Sequence, residues 1–204
     1  MQQRRQISLG FTEERVQEGM HICYIYDDEF ERERTIRKYL ECGLRSGEKV
    51  LCLIEDPSPE EFRNSLRDLD FRPEALTVLD SVQGYCPTGA FDGNRTLKLI
   101  RDFYRQAVDV EGYVGARGTG QMSWSLDPAR ATERDLIEYE ARINHVVREC
   151  ALSSICQYDA RKFSGRMIMD VLSIHPMIII RGQIVSNPYY VEPEEFLSKF
   201  RARI

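Results

Sequence analysis

The chain reads as a three-layer α/β domain: a mostly parallel sheet with helices on both faces and an antiparallel hairpin near its carboxyl end. Three observations predict this. Strand and helix signals alternate from residue 21 onward, giving five strand–helix repeats. The run Lys49 to Ile54 (KVLCLI) is almost continuously apolar, as a strand covered on both faces must be. Met177 to Ile180 and Gln183 to Val185 flank Arg181-Gly182 at hairpin spacing.

Residues 1 to 19 form an N-terminal extension with no clear pattern, and residues 20 to 204 form one domain. Ile22 to Tyr26 is the first strand. Glu29 to Arg45 is a helix with apolar residues at Phe30, Ile36, Tyr39, Leu40 and Leu44, closed by Ser46-Gly47. After the Lys49 to Ile54 strand, Ser58 caps a helix running to about Leu69, with Pro59 at its first position and Glu61 three residues on. Leu76 to Leu79 is a third strand ending at Asp80. The loop Ser81 to Gly89 precedes a long helix, Asn94 to Val110. Tyr113 to Ala116 is a fourth strand leading into Arg117-Gly118-Thr119-Gly120. Thr132 caps a helix to Cys150, and Ser154 to Tyr158 is a fifth strand ending at Asp159. Gly165 to Ile174 is a helix, and Pro193 to Arg203 closes the chain as another.

The bulk numbers exclude several classes. With 204 residues, 42% hydrophobic and 30% charged, the chain fits one globular domain. Its formal net charge is −5 and its basic residues do not cluster, so direct nucleic-acid binding is not expected. The opening MQQRRQISLG has no apolar core behind its charges, and the longest apolar run, Met177 to Ile180, is too short to cross a bilayer. A cytoplasmic protein without signal peptide or membrane span is expected. The six cysteines form no CxxC pair and mostly fall inside predicted strands and helices. They read as buried reduced thiols, and neither a metal nor a cofactor is expected. Cys86, in a loop beside Tyr85 and Pro87, is the best candidate for an exposed reactive thiol.

Residues 21 to 56 have the layout of a strand, phosphate loop, helix and strand. A working phosphate loop needs Gly-rich backbone and a Lys-Ser/Thr pair. Here the loop carries Tyr26-Asp27-Asp28-Glu29, whose carboxylates repel a triphosphate. Arg117 is a second mark against magnesium-dependent catalysis, since a cation cannot ligand magnesium. These features point to a sensory or regulatory domain without a catalytic residue.

Ligands of open parallel sheets bind outside the carboxyl ends of the strands. That edge is expected to carry Tyr26, Arg117 and Tyr158, with Trp124 folded over it as an apolar wall. Arg117 reads either as a bidentate partner for a carboxylate or phosphate, or as one half of an internal ion pair with Asp159, Asp80 or Glu140. His21, Glu140 and His175 are supporting candidates. For each histidine a hydrogen-bonded structural role is the competing reading, and Glu138-Tyr139-Glu140 with Asn144 also reads as a solvated helix face.

Taken together, the segments resemble a MEDS domain, named for methanogens, methylotrophs and the dichloromethane-dehalogenase repressor. The matching pieces are His21-Ile22-Cys23 with Tyr26, Gly43-Leu44 to Gly47-Glu48, Tyr85 with Gly89 and Phe91, and Arg117 with Met122-Ser123-Trp124. They continue with Tyr139-Glu140 and Asn144, Cys156-Gln157-Tyr158-Asp159, His175-Pro176, and Asn187-Pro188-Tyr189-Tyr190. The resemblance implies a fold related to the RecA/KaiC ATPases. It also implies a role in sensing simple hydrocarbon derivatives, alone or joined to DNA-binding or kinase-type output modules. No helix-turn-helix is expected after residue 190. The implied partners are therefore a small organic ligand and a signalling or transcription-regulator protein, with a homodimer allowed. The competing readings are an interaction scaffold in an anti-sigma or kinase system and a degenerate nucleotide-binding ATPase relative.

Overall fold

A computed structural model describes residues 4–202. The strands are β1 (Gln6–Ser8), β2 (Arg15–Gln17), β3 (His21–Tyr26), β4 (Lys49–Ile54), β5 (Leu76–Asp80), β6 (Ala116–Gln121), β7 (Ser153–Asp159), β8 (Met177–Ile180) and β9 (Gln183–Ser186). The helices are α1 (Glu29–Arg45), α2 (Pro59–Ser65), α3 (Ser81–Tyr85), α4 (Gly93–Arg105), α5 (Glu133–Cys150), α6 (Gly165–Ser173) and α7 (Pro193–Arg201). The expected end of the last helix, Arg203, lies outside the described residues.

Seven strands form the main sheet in the order β5-β4-β6-β7-β3-β8-β9. All neighbours are parallel except the β8–β9 hairpin at one edge. The chain leaves β3 through α1, crosses over two strand positions to β4, steps outward to β5, and returns to fill the gap with β6 and β7. Side chains alternate across the sheet. Tyr24 reaches Glu31 of α1 with its hydroxyl at 3.1 Å, so the even residues of β3 face α1. His21 meets Glu140 of α5, so the odd residues face α5.

The N-terminal extension contributes a small hairpin, β1 with β2, which its sequence pattern did not announce. Ile7, Leu9 and Val16 are buried in the same core as the main sheet. Capping chemistry holds where it was read: Ser58 with Glu61 and Thr132 with Asp135 both close capping boxes. One expectation of exposure is corrected. Cys86 is buried, because the short helix α3 turns it inward. Phe30 is 76% exposed, because the helical register that buries Ile36 and Leu40 leaves it on the outer face.

The fourth strand is also corrected. It runs Ala116–Gln121, not 113 to 116, so Arg117 stands at its amino end, opposite Val50 and Ser153. The sequence ARGTGQ looks like a loop because two glycines interrupt it. Gly120 is needed there: a Cβ would collide with the Tyr85 hydroxyl packed on that face of the strand. Arg117 forms a buried ion pair with Glu48, and its Nη1 donates to the Tyr39 carbonyl at 2.8 Å and to that of Ser8 at 3.3 Å. Its guanidinium lies over the Tyr39 ring at 4.7 Å. Arg5 reaches the other Glu48 oxygen at 3.2 Å. The ion-pair reading of Arg117 therefore holds, with Glu48 in place of Asp159, Asp80 or Glu140.

Breaking one side of a buried ion pair strands the other charge, at about 3–5 kcal/mol. Glu48→Gln is expected to lower the urea-unfolding free energy by about 3 kcal/mol. Arg117→Met combined with Glu48→Leu is expected to cost less than the sum of the two single changes. Additivity would show that the two side chains are not coupled.

Candidate functional site

The carboxyl edge of the sheet is where the strand-end rule looks for a site. At the exit of β3, Asp28 caps α1 by accepting from the Glu31 amide at 2.9 Å. Glu29 sits between two arginines: Arg32 Nε donates to it at 2.6 Å and Arg161 Nη2 at 2.7 Å. Arg161 also grips both oxygens of Asp159 at 2.8 Å, which holds that carboxyl below its usual range. Arg32, fully buried, donates further to the Asp56 carbonyl at 2.5 Å and to Gln157 at 3.3 Å. A helix start with two arginines beside it is an anion site by construction. Here the chain's own carboxylates occupy it.

The opposite face carries a second polar group, sealed between the sheet and α5. Glu140 of α5 is fully buried, and its Oε2 lies 3.1 Å from His21 Nε2 and 3.2 Å from His175 Nε2. These are close approaches without hydrogen-bond alignment: neither Glu140 oxygen has an aligned donor among the described residues. His21 Nε2 also lies 3.3 Å from Cys156 Sγ, and the two imidazole rings are 3.9 Å apart. His175 Nδ1 is 2.6 Å from the Val171 carbonyl, and Asn144 Nδ2 donates to the Ile174 carbonyl at 2.9 Å. Burial, then the neighbouring His175, lowers His21 to about 4. Burial raises a carboxyl, but the two imidazoles outweigh it and hold Glu140 below its usual range. Burial pushes the Cys156 thiol and the Tyr158 hydroxyl up. Donor atoms of His21, Glu140, Cys156 and His175 all lie within 4.8 Å of one another.

The structure thus brings His21, Glu140, Tyr158 and His175 together, with the Tyr158 ring 6.1 Å from that of His175. It does not join them to the other three candidates. Tyr26 ends β3 on the α1 face, where Arg32 lies 5.6 Å from its ring. Arg117 is at the far end of the sheet, since a six-residue strand separates it from the carboxyl edge. Trp124 follows β6 but turns inward. It is buried, stacked on Tyr85 at 4.7 Å, with Phe91 at 4.6 Å. Glu138-Tyr139-Glu140 is no uniform solvated stripe, because Tyr139 and Glu140 are buried with Asn144.

A cleft opens at the carboxyl edge beyond β6 and β7, with a volume of about 550 Å³. Leu126, Pro128, Phe163 and Met167 give it apolar walls, and Lys162 and Ser164 are among its polar groups. Phe163 meets the Tyr158 ring edge-on at 5.1 Å, so one aromatic layer separates the cleft from the buried polar group. The sequence reading missed the cleft and Arg32. Helical spacing from Glu29 was the signal for Arg32, but nothing in the 162 to 167 segment marks a wall.

Trp124 is the chain's single tryptophan, so its fluorescence reports the aromatic layer under α5. A blue-shifted emission that moves to the red in a single unfolding transition is expected. Trp124→Ala should cost about 3–5 kcal/mol, measured by circular dichroism in urea. A cost below about 1 kcal/mol would show that the ring is not packed as described.

The model of the family described as MEDS, the methanogen/methylotroph, DcmR sensory domain, matches residues 20–176. A curated relative, the transcriptional repressor DcmR of Methylorubrum extorquens, is 26% identical over 156 residues, covering 76% of this chain and 57% of that protein. The chain therefore spans little more than half the length of this relative. Among solved structures, a KaiC-like protein from Pyrococcus horikoshii OT3 superposes with a TM-score of 0.58 at 15% identity, covering 86% of this chain and 80% of that one. The flagellar accessory protein FlaH from Methanocaldococcus jannaschii gives 0.55 at 12% identity, covering 82% and 75%. At these identities the likeness is one of fold.

Proposed function

The chain belongs to the MEDS family of sensory domains, and from that premise we propose that it is a cytoplasmic, non-catalytic sensor of a small organic molecule. The observation that carries this reading is the cleft at the carboxyl edge. Its volume is in the range of small-molecule sites, and it combines apolar walls with a lysine and hydroxyl groups. Lys162 would hold a polar or anionic end of the ligand while Phe163, Leu126 and Met167 cover its carbon portion. The helix start supports the non-catalytic part, since Asp28 accepts from the Glu31 amide there and the neighbouring Glu29 is paired with two arginines, so a phosphate would have to displace carboxylates. Output passes to a partner protein in transcriptional regulation, the setting that the repressor relative suggests.

The test is a thermal-shift screen of small alcohols, amines, carboxylates, halocarbons and nucleotides. A hit from the organic classes and none from nucleotides is expected. Leu126→Arg places charge and bulk in the cleft from an exposed position and should weaken binding of that hit at least tenfold, about 1.4 kcal/mol. Equal affinity of the parent and a folded Leu126→Arg variant, by calorimetry, would remove the cleft as the site. No magnesium-dependent ATP turnover above a blank is expected. Turnover abolished by Asp27→Ala would overturn the non-catalytic reading.

An interaction scaffold has one observation in its favour. Phe30 projects from the first turn of α1 beside a smaller cleft of about 270 Å³ that includes Pro57 and Phe62. Partner capture that ignores every small molecule and is lost on Phe30→Ser would select this reading.

A further inference from the structure

We propose that His21, Glu140, Cys156 and His175 form a closed, four-ligand site for one zinc-like divalent transition-metal ion between α5 and the sheet. The inference does not depend on the sensory reading. Its basis is a convergence of donor atoms. The Val171 carbonyl can only accept, so at 2.6 Å it takes the proton of His175 Nδ1 and turns Nε2 toward Glu140. His175 Nε2 lies 3.2 Å from Glu140 Oε2 without the alignment of a hydrogen bond. The same oxygen lies 3.1 Å from His21 Nε2, which in turn lies 3.3 Å from Cys156 Sγ. Neither Glu140 oxygen nor His175 Nε2 has an aligned hydrogen bond among the described residues. Buried polar atoms without aligned partners are costly, and a cation among these donors answers that cost.

The dimensions fit that cation. Zinc bonds to imidazole, carboxylate and thiolate of about 2.0–2.3 Å give a tetrahedron with edges of about 3.3–3.8 Å. The donor atoms here are separated by 3.1 to 3.3 Å in the close pairs and by no more than 4.8 Å in any pair. Two nitrogens, a sulfur and a carboxylate oxygen make a donor set for zinc or its neighbours, not for calcium or magnesium. The carbonyl on His175 Nδ1 is the outer partner that orients a ligating histidine. Asn144 interacts with the His21 side chain and can serve that ring similarly. All four ligands are buried, which marks a structural site: the metal pins α5 to β3, β7 and the turn before β8. Binding displaces the Cys156 thiol proton to solvent, and no redox change is involved.

The experiment is metal analysis of the full chain as purified, followed by exchange with cobalt(II). One equivalent of metal per chain is expected, with the thiolate-to-cobalt charge-transfer band and the strong visible bands of tetrahedral cobalt. Cys156→Ser should abolish the charge-transfer band, and His175→Gln should lower stoichiometry at least tenfold. Cys52→Ser, a buried thiol elsewhere in the sheet, should keep both. Chelation of the parent should lower its melting temperature, and added zinc should restore it. A folded parent that neither carries metal nor takes up zinc or cobalt overturns the proposal. One equivalent retained in folded Cys156→Ser and His175→Gln also overturns it. If either variant fails to fold, the parent decides: a cobalt-loaded parent without the thiolate band overturns the site as assigned.

Discussion

A carboxylate sealed from water dictates the arrangement of the α5 side of this domain. Glu140 projects from the middle of α5 onto the sheet with no exposed surface. A buried carboxylate without compensation costs several kcal/mol, so its surroundings must answer the charge. The answer comes from several parts of the chain: His21 from the start of β3, Cys156 from β7, and His175 from the turn after α6. Those segments are distant in sequence, and meeting at one carboxylate sets how α5, β3, β7 and the hairpin sit together. Asn144, one turn along α5, extends the same constraint by donating to the Ile174 carbonyl just ahead of His175.

The α1 face solves its own burial problem by pairing. Arg117 with Glu48 closes the amino end of the sheet, and Arg32 with Glu29, Gln157 and the Asp56 carbonyl closes the carboxyl end. Gln157 passes the chain of contacts to Thr119, whose hydroxyl donates to the Ile155 carbonyl. A helix start can hold a phosphate, and here Asp28 caps it while Glu29 pairs with the adjacent arginines. A fold shared with KaiC-like and FlaH proteins thus keeps its frame while the space at the start of α1 is committed to internal contacts.

The fold class was legible because its signals are local. KVLCLI can only be a doubly covered strand, and Ser58 with Glu61 and Thr132 with Asp135 mark helix starts through bonds made within four residues. Strand β6 was misplaced for an equally physical reason: Gly118 and Gly120 erase the apolar alternation that marks a strand, and the space that Gly120 leaves is needed by Tyr85 on the other layer. That one shift carried Arg117 to the wrong end of the sheet. The buried polar group was half legible. His21, Glu140 and His175 stood out as supporting candidates, with Glu140 also readable as part of a solvated helix face, but their convergence, and the place of Cys156 beside them, depends on a strand order that local patterns do not encode. Ligands at positions 21, 140, 156 and 175 have no motif spacing to read.

The cleft and the buried polar group are joined by more than proximity. Ser164 caps α6, and Ser164 and Met167 both line the cleft. The same helix ends at Ser173, and the Val171 carbonyl in its last turn holds the His175 ring. Phe163 and Tyr158 form a parallel aromatic path from the cleft wall to His175. Met167 in the cleft wall and the Val171 carbonyl against the His175 ring thus belong to one nine-residue helix. Both ends of such a short helix are fixed by close packing against the same core. Helix α6 thus bridges the cleft wall and the imidazole beside Glu140, and β8, at the β8–β9 edge of the sheet, begins two residues after His175.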